Sequence, residues 1–143
     1  MSIVERMREA RASGDFSGLV AAIPYMASLG LEPVMVDGRL QVRLEASRIH
    51  VGNPFLQALH GGMLGGLLES TAILELALEL AGDALPKPIT ITVDYLRSGR
   101  VAPTFADARV TRLGRRVANV HARCWQDDPD RPTATLIGHF LVG

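Results

Sequence analysis

His60, Gly61, Gly62 and Glu69 carry the clearest chemistry in this chain. They head its longest apolar segment, His-Gly-Gly-Met-Leu-Gly-Gly-Leu-Leu-Glu over 60–69, which runs on to about residue 81. Four of the first seven residues are glycine. Each glycine inside a helix costs about 1 kcal/mol against alanine. Close approach of another backbone or of a ligand is the usual offset. At about 100° per residue, Ile73, Leu76 and Leu80 fall within about 40° of Glu69, which places that carboxylate in an apolar stripe. Glu75 and Glu79 lie together roughly 80–120° away and read as a wet edge. Leu67, Leu74 and Leu78 form a second apolar face, as in a helix wrapped by other structure. A carboxylate in such a stripe loses hydration, and its pKa rises towards a range useful for a base or a nucleophile. On the helix alone, a solvated Glu69 at the edge of the stripe is the competing reading.

The elements that must position these residues follow from period and punctuation. Residues 2 to about 12 read as a short charged helix, broken at Ser13-Gly14-Asp15. Residues 16–29 have helical spacing, disturbed by Pro24, and predict one short, partly irregular helix ending at Gly30. Val34, Val36, Leu40, Val42 and Leu44 alternate around Asp37-Gly38, a strong hairpin signal. Residues 46–59 are loop-like. After the long helix, closed by Gly82-Asp83, four strands are predicted: Ile89 to Tyr95, Phe105 to Leu113, Val117 to Gln126 and Thr133 to Val142. Short turns make neighbouring strands antiparallel. The expectation is an α+β domain over 1–143, with short helices over about 2–30 and a curved antiparallel sheet of five to six strands around one long central helix. The sheet edges and the open flank of the helix need cover, which predicts a homodimer.

Composition narrows the function classes. The formal net charge is zero over 143 residues, so there is no general electrostatic case for nucleic acid or an anionic membrane. The single cysteine, Cys124, excludes an intrachain disulfide and reads as a buried thiol. The segment 63–80 contains three glutamates and does not read as a membrane span. The first eleven residues lack an apolar run of signal-peptide length, and a cytoplasmic location is expected by default. No second histidine stands at metal-ligand spacing from His60, and no metal is expected.

Asn53, His60-Gly61-Gly62, Glu69, the Val93-Asp94-Tyr95-Leu96-Arg97 strand end and Gly114-Arg115-Arg116 together resemble the hotdog-fold thioesterases, in particular the PaaI-like or 4-hydroxybenzoyl-CoA-type branch. The resemblance spans about residues 16–142. It implies hydrolysis of an acyl-CoA thioester to free acid and CoA, without metal or organic cofactor. It also implies dimers, often paired into tetramers, with sites at the dimer interface. Glu69 resembles the family's catalytic acid, acting as nucleophile or as base on water. Gly61 and Gly62 resemble the helix start where a backbone N–H polarises the thioester oxygen. Gly65 and Gly66 read instead as close-packing positions. His60 resembles a group at the edge of the site, either a helix cap or a substrate-positioning residue. Asn53 resembles an upstream asparagine that contacts thioester or water, with Gln57 as a rival and an ordinary turn as the bland reading. Arg97, Arg100, Arg115 and Arg116 resemble the region that meets CoA phosphates, and a solvated turn is their alternative. Met63, Leu67 and Phe55 are candidates to line an apolar or aromatic acyl pocket. Thr92, with Thr90, can reach a partner's site across the dimer or serve simply as strand residues.

Two other functions stay open. The same fold can bind acyl-CoA or another apolar ligand without hydrolysis. A hydratase would need an acid–histidine pair, and nine residues of helix place His60 and Glu69 about 13 Å apart.

Overall fold

The computed structural model describes residues 1–45, 51–53, 58–59 and 61–143, the short pieces 51–53 and 58–59 by their backbone. Helix α1, Ile3–Ser13, starts in a capping box: the Ser2 hydroxyl accepts from the Glu5 N–H, and the Glu5 carboxylate accepts from the Ser2 N–H. Gly14 ends it in the left-handed region. The expected single helix over 16–29 is two helices, α2 Ser17–Ala22 and α3 Pro24–Leu29. Ile23 between them is extended, because the ring of Pro24 disfavours helical geometry in the preceding residue and then suits the first turn of a new helix.

Strands β1 (Leu31–Val36) and β2 (Arg39–Leu44) pair across Asp37-Gly38. Both turn residues have positive φ, 50° and 79°, as a two-residue hairpin that follows the sheet twist requires. Within the expected loop over 46–59, β3 (Val51–Asn53) and β4 (Ala58–Leu59) form a separate two-stranded ribbon. Helix α4 follows over Gly61–Glu79, then β5 (Lys87–Tyr95), β6 (Thr104–Leu113), β7 (Val117–Trp125) and β8 (Ala134–Leu141).

The main sheet has six strands in the order β1-β2-β6-β7-β8-β5, and every pair is antiparallel. The expected antiparallel pairing holds throughout, but β5 and β6, which follow each other in the chain, are not neighbours in the sheet. β5 lies outside β8, and β6 lies beside β2. The burial of each strand accounts for this. β6 buries Thr104, Ala106 and Ala108 and takes a central place, whereas almost all of β5 is exposed and suits an edge.

The curved sheet packs on α4 through alternate residues. Leu40, Val42 and Leu44 of β2, Ala106 and Ala108 of β6, Ala118, Val120, Ala122 and Cys124 of β7, and Ala134, Leu136 and Phe140 of β8 are buried. Alanine dominates the middle strands, which lets the helix come close and seat Leu64, Leu67, Leu68, Leu74 and Leu76. α4 has the length and apolar character of a membrane-crossing helix, but most of it is covered, as in a core helix. Cys124 is buried as expected, and burial pushes its thiol pKa up to about 12.

Candidate active site

The start of α4 and the end of β5 meet. Tyr95, the last residue of β5, lays its ring over the first turn of α4, and its hydroxyl donates to the Gly61 carbonyl at 2.8 Å. A Cβ on Gly61 would stand 3.3 Å from the ring, and one on Gly65 3.4 Å from the hydroxyl. Gly66 lies under the Tyr25 hydroxyl and the Leu29 side chain of α3. The close packing expected at Gly65 and Gly66 therefore comes from the sheet at Gly65, through Tyr95 of β5, and from Tyr25 and Leu29 of α3 at Gly66.

Gly61, Gly65 and Glu69 are spaced by four and share one face of α4. Glu69 is half-buried two turns along that face, and burial raises its pKa above the ordinary carboxylate value. Of its stripe neighbours, Leu76 is fully buried and Ile73 half-buried. The hydroxyl of Thr71, two residues on, donates to the Leu67 carbonyl at 2.7 Å and is held within the helix.

The expected wet edge needs correction. Glu79 is exposed, but Glu75 is only 5% exposed, more buried than Glu69. Burial pushes its pKa to about 7; the charge of Glu79 adds to the rise, and Arg39 opposes it. The sequence wheel marks the angle of Glu75 correctly but not the reach of the sheet, which wraps far enough round α4 for β2 and β6 to cover it.

The other candidate residues divide between the two ends of the sheet. Arg97 and Arg100 follow Tyr95 and share the end occupied by Gly61. Both lie along a cavity of about 260 Å³ with Arg131, Asp127 and Asp128. Arg100 is held by Asp127 at 2.6 Å, which leaves Arg97 and Arg131 as the less committed cations there. Arg115 and Arg116 lie at the opposite end, where the Val142 N–H donates to the Arg116 carbonyl and Leu141 pairs with Lys87 at the start of β5. The length of β5, about 26 Å at the usual rise per residue, separates that end from Tyr95. There Arg112, Arg115, Arg116 and Asn119 line an open cavity of about 720 Å³. Sequence reading missed Arg112 and Arg131; the one signal for each was its nearness to a turn carrying other charges.

Thr92 pairs with Ile137, while its neighbour Val93 pairs with the buried Leu136. Thr92 and Thr90 thus lie on the sheet face turned away from α4. Met63 is half-buried in the first turn of α4, and Leu67 is fully buried. Asn53 is placed by its backbone in β3. Its side chain, together with His50, Phe55, Gln57 and His60, lies outside the described residues.

A six-stranded antiparallel sheet curved round one central helix, with a glycine-led helix start and a half-buried carboxylate on the same helix face, defines a hotdog-fold protein of the thioesterase type. The chain belongs to that family: residues 52–141 match the family described as acyl-CoA thioesterase N-terminal domain. No curated protein matches it by sequence. Among solved structures, a Chromobacterium violaceum protein is 35% identical, with 97% of each chain covered and a TM-score of 0.78. A phenylacetic acid degradation-related protein from Ralstonia eutropha is 25% identical, covering 99% of this chain and 100% of its own, with a TM-score of 0.75. A Bacillus halodurans protein crystallised with CoA is 19% identical, covering 99% and 91%, with a TM-score of 0.73.

Proposed function

We propose that this protein hydrolyses an acyl-CoA thioester to the free acid and CoA. The observation that carries the reading is the half-buried Glu69 on the same helix face as Gly61, its pKa raised by burial. The thioester carbonyl would sit at the head of α4, its oxygen towards the glycine-led helix start at Gly61 and the positive end of the helix. Gly62 and Glu69 of one chain stand about 10 Å apart along α4, so it is Glu69 of the partner subunit that attacks the carbonyl carbon itself or takes a proton from the water that does. The C–S bond breaks as the tetrahedral intermediate collapses, and the CoA sulfur leaves as thiolate and gains a proton. In the nucleophilic variant, water next hydrolyses the acyl-Glu69 anhydride. His60 and Asn53 are proposed at the edge of the site. Met63 is proposed to line the acyl pocket, and Thr92 is the weakest candidate because it faces away from α4.

We further propose a homodimer joined through β5. This edge strand exposes Ile89, Ile91 and Tyr95, whereas the other edge, β1, carries Pro33, a residue edge strands use against pairing. Antiparallel pairing of two β5 strands brings the Arg115-Arg116 end of one protomer to the Gly61 end of the other. The phosphate-binding role of these arginines then acts across the dimer, with Arg97 acting within its own chain. The CoA held by the Bacillus halodurans relative supports the same ligand here.

The test is thiol release from short-chain, long-chain and aryl acyl-CoAs by the native protein and by Glu69→Gln. Turnover on some substrates, lost by about 100-fold or more in the variant, is the expected result. Equal rates in both proteins would overturn the role of Glu69. No turnover on any substrate, with acyl-CoA still raising the melting temperature, would instead identify a non-catalytic acyl-CoA-binding protein.

A further inference from the structure

The sheet face turned away from α4 carries an open cavity of about 620 Å³ across β6, β7 and β8. Two rows of the strand register run through it. Arg109 of β6 pairs with His121 of β7, and His121 pairs with Ile137 of β8. In the next row, Asp107 pairs with Arg123. These residues alternate with Ala106, Ala108, Ala122 and Leu136, which are buried towards the helix, so their own side chains stand on the outer face. Arg39, at the start of β2, lines the cavity from the far side of β6. β2 pairs with β6 only from Val42 to Leu44, and Arg39 bridges the gap beyond that pairing by donating to the Ala108 carbonyl at 3.2 Å.

The charges in this cavity do not cancel. Among the described residues that line it, Asp107 is the only carboxylate, and Arg123 holds it with two hydrogen bonds, at 2.9 and 3.2 Å. Arg39 stands 3.8 Å from Glu75, too far for a hydrogen bond, and is mostly exposed. Arg109 and His121 have no ion pair among the described residues. The chain as a whole has no net charge, so this local excess of guanidinium marks a place for an anion. Opposite residues of an antiparallel pair hold their Cβ atoms about 4.5–5.5 Å apart. That spacing lets the Arg109 guanidinium and a ring N–H of His121 converge on one anion. Ile137, on the other side of His121, is 47% exposed and offers an apolar wall. We infer that this groove is a second ligand site, for an organic carboxylate with an apolar tail: the head is clamped by Arg109 and His121, and the tail lies on Ile137. An inorganic anion would leave Ile137 in water. The sheet separates this site from the face that packs on α4, and β5, the proposed dimer edge, lies beyond β8, so the groove stays open in that dimer. The inference does not rest on the thioesterase reading.

The probe is octanoate, with acetate and inorganic phosphate for comparison. Each is titrated into the native protein, Arg109→Gln, Ile137→Ser and Glu69→Gln. Arg109 and Ile137 are exposed, so neither variant disturbs the core. The readout is the imidazole resonance of His121, assigned by its loss in His121→Gln. Octanoate should shift it saturably, and equally in native protein and Glu69→Gln. Arg109→Gln should weaken octanoate by about 10-fold, the worth of a charge-assisted hydrogen bond. Ile137→Ser should weaken octanoate by about 3-fold or more and leave acetate unchanged. No saturable shift of His121 in the native protein overturns the inference, as does native affinity in Arg109→Gln. Phosphate binding as tight as octanoate binding, with no effect of Ile137→Ser, overturns the carboxylate assignment in favour of an inorganic anion. A His121 shift that disappears in Glu69→Gln also overturns the inference, because the signal then comes from a ligand bound at α4.

Discussion

The Glu75 carboxylate lies 3.8 Å from Arg39 Nη2, and its second oxygen, Oε2, is buried with no hydrogen-bond partner among the described residues. Arg39 is itself mostly exposed, so this pair offsets only part of the desolvation, and the pKa of Glu75 stands at about 7. The sign of the consequence is set. The folded state binds this proton more tightly than the unfolded state, whose carboxylate titrates near 4.5. Stability from this group is therefore complete below about pH 4.5 and is lost as the pH rises to about 7, up to about 3 kcal/mol in all. Glu75→Gln should match the native protein at pH 4.5 and melt at a higher temperature at pH 8. Thermal melts at the two pH values check this; an equal or lower melting temperature for the variant at pH 8 would show that Glu75 is not strained.

Glu69 has the same direction of shift with a different readout. Burial raises its pKa, and the proposed base or nucleophile is the ionised form. Activity should therefore fall on the acid side at a pH above that of an ordinary glutamate, about 4.3. A pH profile of kcat/KM checks this. An acid limb at or below that value would place Glu69 in water, and Glu69→Asp should shift the limb if the carboxylate itself sets it.

Arg115 and Arg116 lie at the far end of the sheet from Gly61 in their own chain, so their proposed contact with CoA needs a second chain. Arg115→Ala combined with Arg116→Ala should raise KM for acyl-CoA by about 10-fold or more and leave KM for a nucleotide-free thioester such as an acyl-N-acetylcysteamine nearly unchanged. Mixing this double variant with Glu69→Gln provides the sharper check. If the arginines and Glu69 both reach the Gly61 end of the other protomer, no mixed dimer has an intact site and activity stays low on mixing. If the two come from different protomers, each mixed dimer has one intact site and activity returns.

Gly138, on β8 opposite Ile91 and Val120, makes room for the core. A Cβ there would lie 2.7 Å from a ring carbon of Phe140, 3.0 Å from Ile91 and 3.2 Å from Leu136. Phe140 is fully buried. Gly138→Ala should cost about 1–3 kcal/mol by overpacking. Denaturant titration measures it, and an unchanged midpoint would mean that the ring can shift.

Much of this architecture was legible because it is local. Asp37-Gly38 announces a two-residue turn, since few other pairs accept positive φ at both positions. Alternation along β7 and β8 marks the face that meets the helix, and the burial of Ala118, Val120, Ala122, Leu136 and Phe140 follows it. Pro24 was visible as a disturbance, and the two helices on either side of it are what that disturbance means. The place of β5 beside β8 was not legible, because strand order depends on which faces are covered by elements far away in sequence.

From its residues alone, this chain was set to form a hairpin, a long glycine-led helix with Glu69 on an apolar stripe, and four strands after it. Turn geometry, side-chain period and the cost of glycine act within a few residues, so they can be read along the chain. The tertiary structure alone decided that Glu75 is buried more deeply than Glu69, that Tyr95 reaches Gly61, and that Arg97 shares the Gly61 end while Arg115 and Arg116 do not. Each of these depends on how far the sheet curves round α4 and on which strand takes its edge, and both are settled by packing between parts of the chain that are far apart in sequence.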